Sequence, residues 1–425
     1  MSLYRSLAGL ASGNIASRLV IIASMPLLTR LFSPSDFGIF YVIVGFSSIA
    51  VPLVSLGYTN AIPVVNRDAR AISIMTCCIL SAVASTSAMV VLIMCISRVY
   101  NIGPIDTIAS NIWILAGLVI SSAFIEVSAS WQTRERRLGV TSKALVVKAL
   151  TAEGVKASLG FSMPGPNSLL AGQLFGTILA GVYSFISIPT RRIMYYLFHP
   201  RYLLSVFYRY REFAFYRMPA QALSAVGVQA PILILGSSYG SASAGHVAIA
   251  INMISVPVSI FGQSLNRAIF SELSHAVRAN SGNVGLPRRI FNQGMVLSFL
   301  IGAPIALLAF LFAGPVFSVL FGHRWSESGN YVSILSVYMF FQFMSYPLMS
   351  VLNFSGAQLA FFRIHLQRAV IATISLFIPI FFKQSIETSL LVYSVSMCLH
   401  YLLVLLFVVR TFSKFVSGEG VGRHY

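Results

Sequence analysis

Residues 149–159 read Ala149-Leu150-Thr151-Ala152-Glu153-Gly154-Val155-Lys156-Ala157-Ser158-Leu159. Hydropathy alone rejects this stretch as a membrane helix, because it carries a glutamate, a lysine and a glycine within four residues. Whether it nevertheless crosses a bilayer decides on which side every later residue lies.

The composition around it allows only a lipid solvent. Of 425 residues, 57% are apolar and 9% charged, and the mean hydropathy is +0.82. Soluble domains carry about 25% charged residues, and so few charges cannot cover a water-facing surface. A cytosolic enzyme is excluded. Long, continuously apolar runs are helices rather than barrel strands, which would alternate over short segments. Candidate spans lie at 9–31, 38–60, 72–97, 111–131, 145–161, 168–189, 219–236, 245–265, 290–312, 331–353, 367–382 and 388–410. The first is read as a retained helix and not a cleaved signal, since Asn14 and Arg18 interrupt it.

Loop charge argues for the polar fifth span. The chain has 29 Lys and Arg against 11 Asp and Glu. With all twelve spans and a cytoplasmic N-terminus, 23 of the cations fall on one side. Only Arg30, Arg98, Arg324 and Lys383 fall on the other, while Arg18 and Lys156 stay within spans. Deleting the fifth span would put Arg134, Arg136 and Arg137 opposite the six arginines of 191–217, against the positive-inside rule. The basic charge therefore reads as topology, with both termini cytoplasmic, and not as nucleic-acid binding. The four cysteines lie in apolar stretches without metal or disulfide spacing.

This gives an all-α integral membrane protein of about twelve helices. Residues 1–189 form an N-terminal six-helix lobe, 190–217 a basic and aromatic cytoplasmic linker in the headgroup layer, 218–410 a C-terminal six-helix lobe, and 411–425 a cytoplasmic tail. The lobes show an internal repeat: Gly38, Pro52 and Asn60 in span two correspond to Gly245, Pro257 and Asn266 in span eight. Each set follows a Ser-rich connection.

The stretch Leu28-Thr29-Arg30-Leu31-Phe32-Ser33-Pro34-Ser35-Asp36-Phe37-Gly38-Ile39-Phe40, with Leu56-Gly57-Tyr58-Thr59-Asn60-Ala61-Ile62, resembles the polysaccharide flippases. Their superfamily also holds the MATE exporters and the lipid II flippase, and the O-antigen (Wzx-type) flippases of the bacterial inner membrane are the branch it is most similar to. The resemblance implies two pseudo-symmetric lobes around a central cavity, alternating access, and a substrate carried on undecaprenyl pyrophosphate. It implies partners among bilayer lipids and other polysaccharide-assembly membrane proteins.

Charged side chains in spans are costly and need a partner or water. Arg18, with Asn14 four residues earlier on the same face, and Lys156 are the candidate substrate-binding residues. Glu153 and Glu126 are the candidates for ion coupling. Glu153 and Lys156, three apart, share a helical face and can pair. Glu126 can instead pair with Arg134 or Arg137. Arg363, His365 and Arg368 read as headgroup anchors, and His400 as hydrogen-bonded packing. No catalytic set, cofactor motif or metal spacing is present in the sequence. Two alternatives to a flippase stay open: a multidrug exporter, and a membrane-embedded polysaccharide polymerase or glycosyltransferase, which would need a sizeable outer loop, whereas the largest outer loop here is only about 315–330.

The twelve-span topology makes a direct prediction. Reporter fusions at Asn101, Ser162 and Lys383 should read as outside, and fusions at Gly139 and Tyr208 as inside. A cytoplasmic reading at Ser162 would remove span five.

Overall fold

The computed structural model describes residues 2–63, 65, 67–99, 103–185, 188, 193, 195, 196, 206–211, 213–279, 285–353 and 358–417. Among them there are helices and turns and no strands. Fourteen α-helices are seen: α1 Ser2–Leu31, α2 Pro34–Val54, α3 Asp68–Val99, α4 Gly103–Ser110, α5 Ile112–Arg134, α6 Leu138–Ser162 and α7 Pro166–Phe185. They continue with α8 Met218–Tyr239, α9 Ser241–Pro257, α10 Gln263–Ala279, α11 Gly285–Phe321, α12 Ser326–Ser345, α13 Gln358–Phe381 and α14 Ile386–Ser417. Eleven segments are long and apolar enough to cross a membrane. The protein is a multi-pass membrane protein.

Helix α6 is absent from those eleven because of its charges, yet its 25 residues make it about 37 Å long, more than the ~30 Å hydrocarbon core. Lys143, outside the expected span 145–161, lies within it, as does Lys148. It packs lengthwise on α1 and on α7. The α7 contact depends on Gly172 and Gly176, spaced four apart. A Cβ on Gly176 would stand 2.7 Å from the Lys148 carbonyl oxygen, and one on Gly172 2.8 Å from the Lys156 backbone nitrogen. This small-xxx-small face brings the two backbones together.

The motif at residues 33–36 is a helix start. Ser33 caps α2, with Asp36 Oδ2 accepting from the Ser33 backbone N–H at 2.9 Å and Ser33 Oγ from the Asp36 N–H at 3.3 Å. With Pro34 in the first turn, this capping box starts α2 after a two-residue connection from α1. Phe32 and Phe37 close it edge-to-face, with ring centroids 6.2 Å apart.

The chain forms two compact units, Met1–Gly245 and His246–Tyr425. In the first, α8 packs along α2. Ser241–Gly245, the opening turn of α9, also belongs to this unit, and its Gly245 abuts the other repeat glycine, Gly38. A Cβ on Gly38 would meet the Ser241 carbonyl oxygen at 1.7 Å, and one on Gly245 the Pro34 carbonyl oxygen at 1.9 Å. An apolar core of Tyr58, Ile72, Met75 and Trp131 receives Ile188, Ile193 and Val206, so parts of the expected headgroup linker are buried. Half of 190–217 and residues 418–425 of the tail lie outside the described residues.

In the second unit α10, α11, α13, α14 and the 3-10 turn Tyr346–Asn353 build a core that includes Ile269, Phe291, Leu348 and Val408, with Phe291 and Phe412 stacked at 4.2 Å. After Pro257 the helix widens into a π-turn, Val258–Gly262, a local cause for bending.

Gly176→Leu should push α6 and α7 apart and cost about 1–3 kcal/mol, seen as a lower melting temperature in detergent. Gly154→Ala, with nothing within 4 Å of its Cβ, should be neutral or slightly stabilising.

Candidate functional site

Three helices of the first unit converge on α6's charges. Glu153 and Lys156 lie one turn apart on the buried face, with side chains 9% and 6% exposed. Lys156 Nζ donates to Glu153 Oε1 at 2.8 Å. The other carboxylate oxygen, Oε2, accepts from Ser24 Oγ of α1 at 3.0 Å. The ammonium also sits 4.8 Å from the centre of the Phe40 ring of α2. Each charge thus has its counter-charge and a further polar or π contact, the arrangement that makes a buried pair tolerable.

Arg18 joins this place through Tyr41 of α2, which lies within electrostatic range of both Glu153 and Arg18. The arginine is half-buried, and no carboxylate or hydrogen-bond acceptor meets its guanidinium among the described residues. Since Glu153 is neutralised by Lys156, the cluster carries one uncompensated positive charge. Asn14 stands one turn before Arg18, half-buried, its carbonyl accepting from Ser17 Oγ at 2.9 Å.

Glu126 is not part of this cluster. Its Oε1 accepts from Thr59 Oγ1 at 2.9 Å, in the 3-10 turn after α2. The pairing expected with Arg134 is not made. Arg134 instead binds Asp68, with Nη2 2.7 Å from Oδ1, and donates to the Ile62 and Val65 carbonyls.

The second unit holds a cluster that the sequence did not announce. Arg368, read as a headgroup anchor, lies against the Tyr401 ring, 5.9 Å from its centre. Tyr401 Oη accepts from Gln342 Nε2 at 3.0 Å. Tyr338 stacks on Tyr401 at 6.4 Å and meets Tyr393 edge-on at 5.7 Å. Beside them His400 is fully buried, and neither of its ring nitrogens is hydrogen-bonded among the described residues, contrary to expectation. The i, i+4 spacing of Tyr338 and Gln342 and the i, i+8 spacing of Tyr393 and Tyr401 are the only sequence signal for this face. Ser24, Phe40 and Tyr41 were missed for the same reason: each is an ordinary residue of an apolar run.

A family profile described as "Polysaccharide biosynthesis protein" matches residues 27–330. The chain belongs to this family. The match includes α2 and the Glu153–Lys156 pair and leaves Arg18 and Arg368 beyond its ends. Among solved structures, the fold resembles the lipid II flippase MurJ in its inward closed conformation: TM-score 0.75 at 13% identity, over 96% of this chain and 90% of that one. A MATE multidrug-resistance transporter in an inward-facing conformation gives 0.64 at 15% identity, over 97% and 96%. A Vibrio cholerae MATE transporter gives 0.59 at 14% identity, over 98% and 97%. No curated protein matches the chain by sequence.

The ion pair makes a prediction about folding. Glu153→Ala or Lys156→Ala alone strands a buried charge, at about 3–5 kcal/mol, and should lower the amount of membrane-inserted protein. The double variant removes both charges and should restore that amount to near wild type.

Proposed function

We propose that the protein is a flippase of the bacterial inner membrane. It would carry an undecaprenyl-pyrophosphate-linked oligosaccharide, an O-antigen or other surface-polysaccharide repeat unit, from the cytoplasmic to the periplasmic leaflet by alternating access. The observation that carries this reading is Arg18, a cation in a spanning helix without a counter-ion among the described residues. Holding such a charge in low dielectric is unfavourable unless water or an anion meets it. A pyrophosphate is that anion, and a guanidinium fork suits its oxygens. Arg368 in the second unit likewise has no carboxylate partner among the described residues. Family membership and a fold like those of a lipid flippase and MATE transporters support the same reading.

In this reading 1–189 and 218–410 are the two lobes around the cavity, and both termini face the cytoplasm. Arg18, Asn14 and Lys156 contact the substrate head. Protonation of Glu153 would release Lys156 to the pyrophosphate, which gives proton coupling a route. Glu126, held by Thr59, is the weaker coupling candidate.

The two alternatives fit less well. A multidrug exporter of cationic compounds needs uncompensated acid at its site; beside Arg18 Glu153 is paired, and Glu126, with no cation partner among the described residues, lies outside that cluster. A polymerase or glycosyltransferase needs a sizeable outer loop. The stretch 315–330 is helical at both ends, and only Gly322–Trp325 connects α11 to α12.

Arg18→Ala should reduce flipping more than tenfold while leaving protein level near normal, and Arg18→Lys should keep part of the activity. Cells carrying the alanine variant should accumulate lipid-linked repeat units on the cytoplasmic face and lose surface glycan. The Glu153→Ala, Lys156→Ala double variant should be well expressed yet poor in transport. Wild-type surface glycan in Arg18→Ala cells would remove the cationic-site reading.

A further inference from the structure

The tyrosine cluster of the second unit gathers buried donors around one permanent charge. Arg368 lies well inside α13, about 15 Å along the helix from Gln358. Part of its side chain is exposed, but its Nε is buried and has no hydrogen-bond partner among the described residues. A guanidinium does not give up its proton, so that N–H stays a donor. Its charge is unanswered as well. The groups acting on it electrostatically are Tyr401, Tyr393 and Tyr338, with no Asp or Glu among them. His365 and His400 lie within electrostatic range of Arg368 and add bases rather than acids. Two further donors stand beside it. Tyr401 Oη accepts from Gln342 Nε2 at 3.0 Å, which leaves its own proton without an acceptor among the described residues. His400 is fully buried with neither ring nitrogen bonded, and its ring meets that of Tyr401 edge-on at 5.1 Å.

Buried donors without acceptors cost free energy, and a native structure meets them with water or an ion. Water takes the protons but leaves the charge, and the Tyr401 ring, 5.9 Å from the guanidinium, lies at the far edge of cation–π range. An anion answers both. We propose that this cluster is a binding site for a small inorganic anion of chloride size, held by Arg368 Nε–H, the Tyr401 hydroxyl and a ring N–H of His400. The walls set the size of the occupant. Tyr338, Tyr393 and Tyr401 are each at most 6% exposed, and Tyr338 and Tyr393 share a hydrogen bond. A monatomic ion suits so enclosed a place, whereas a pyrophosphate bearing sugars does not. The exposed part of Arg368 gives the ion a way in. Once bound, it would tie α13 to α14, with Gln342 of α12 holding Tyr401 in position. The site rests on the surroundings of Arg368 and not on what the protein transports.

The test melts the full-length protein in detergent while chloride replaces gluconate at constant ionic strength. An ion that binds the folded state raises the melting temperature by mass action, and wild type should gain about 2 °C with a saturating dependence on chloride. Arg368→Gln should abolish that gain. Tyr401→Phe keeps the charge and the ring, and should raise the half-saturating chloride concentration about tenfold, the loss of one hydrogen bond to a charged group; this variant carries the test if Arg368→Gln does not fold. Arg18→Gln and Arg137→Gln each remove a cation elsewhere and should keep the wild-type midpoint. Three results would overturn the proposal. The first is no chloride-specific gain in wild type, as expected if water alone fills the cluster. The second is a gain that survives in Arg368→Gln or Tyr401→Phe unchanged, or that disappears in Arg18→Gln. The third is a chloride midpoint moved tenfold by equimolar inorganic pyrophosphate, which would assign the cluster to a diphosphate head group instead.

Discussion

The Glu153–Lys156 pair is the interaction on which the rest depends. Two charges one turn apart cancel each other, and Ser24 and the Phe40 ring take up their remaining contacts. That converts an otherwise excluded segment into a helix that can lie within lipid. The backbone supports it from the opposite direction, because Gly172 and Gly176 let α7 press directly on the α6 main chain. The pair therefore does more than sit in the first unit: it joins α1, α2 and α6, and with α7 it holds the fifth span in place.

Neutralising those two charges also determines what the site can attract. With Glu153 occupied, Arg18 is left as the net charge of the cluster, within electrostatic range of Tyr41. A cluster with a spare carboxylate would favour organic cations, whereas one with a spare guanidinium favours phosphate oxygens. The cations of α11 and α13 divide by environment. Arg288 and Arg289 are exposed near the start of α11, and Arg368 lies against the Tyr401 ring in an aromatic cluster.

The all-helical fold was legible from apolar run length, and a helix over the polar stretch 149–159 from the distribution of loop charge along the whole chain. The repeat glycines were legible as a spacing, but their mutual contact was not. Partners across helices were hidden. Glu126 turned to Thr59, 67 residues away, and Arg134, nearer in sequence, had Asp68 as a better partner. Arg368 was misplaced because hydropathy records only its charge near a span end, while its environment comes from tyrosines on α12 and α14. The 315–330 loop shrank to a short turn because polar residues at a helix end, such as Arg324 and Glu327, look like loop to a hydropathy scale.

Leaflet exchange by the purified protein is the most direct test of transport. The chain would be reconstituted into liposomes holding a labelled undecaprenyl-pyrophosphate-linked glycan in the inner leaflet, with a glycan-cleaving enzyme outside. A flippase makes the label accessible to that enzyme at a rate well above protein-free liposomes. Label that stays protected while the glycan chains grow longer would contradict transport and indicate a polymerase.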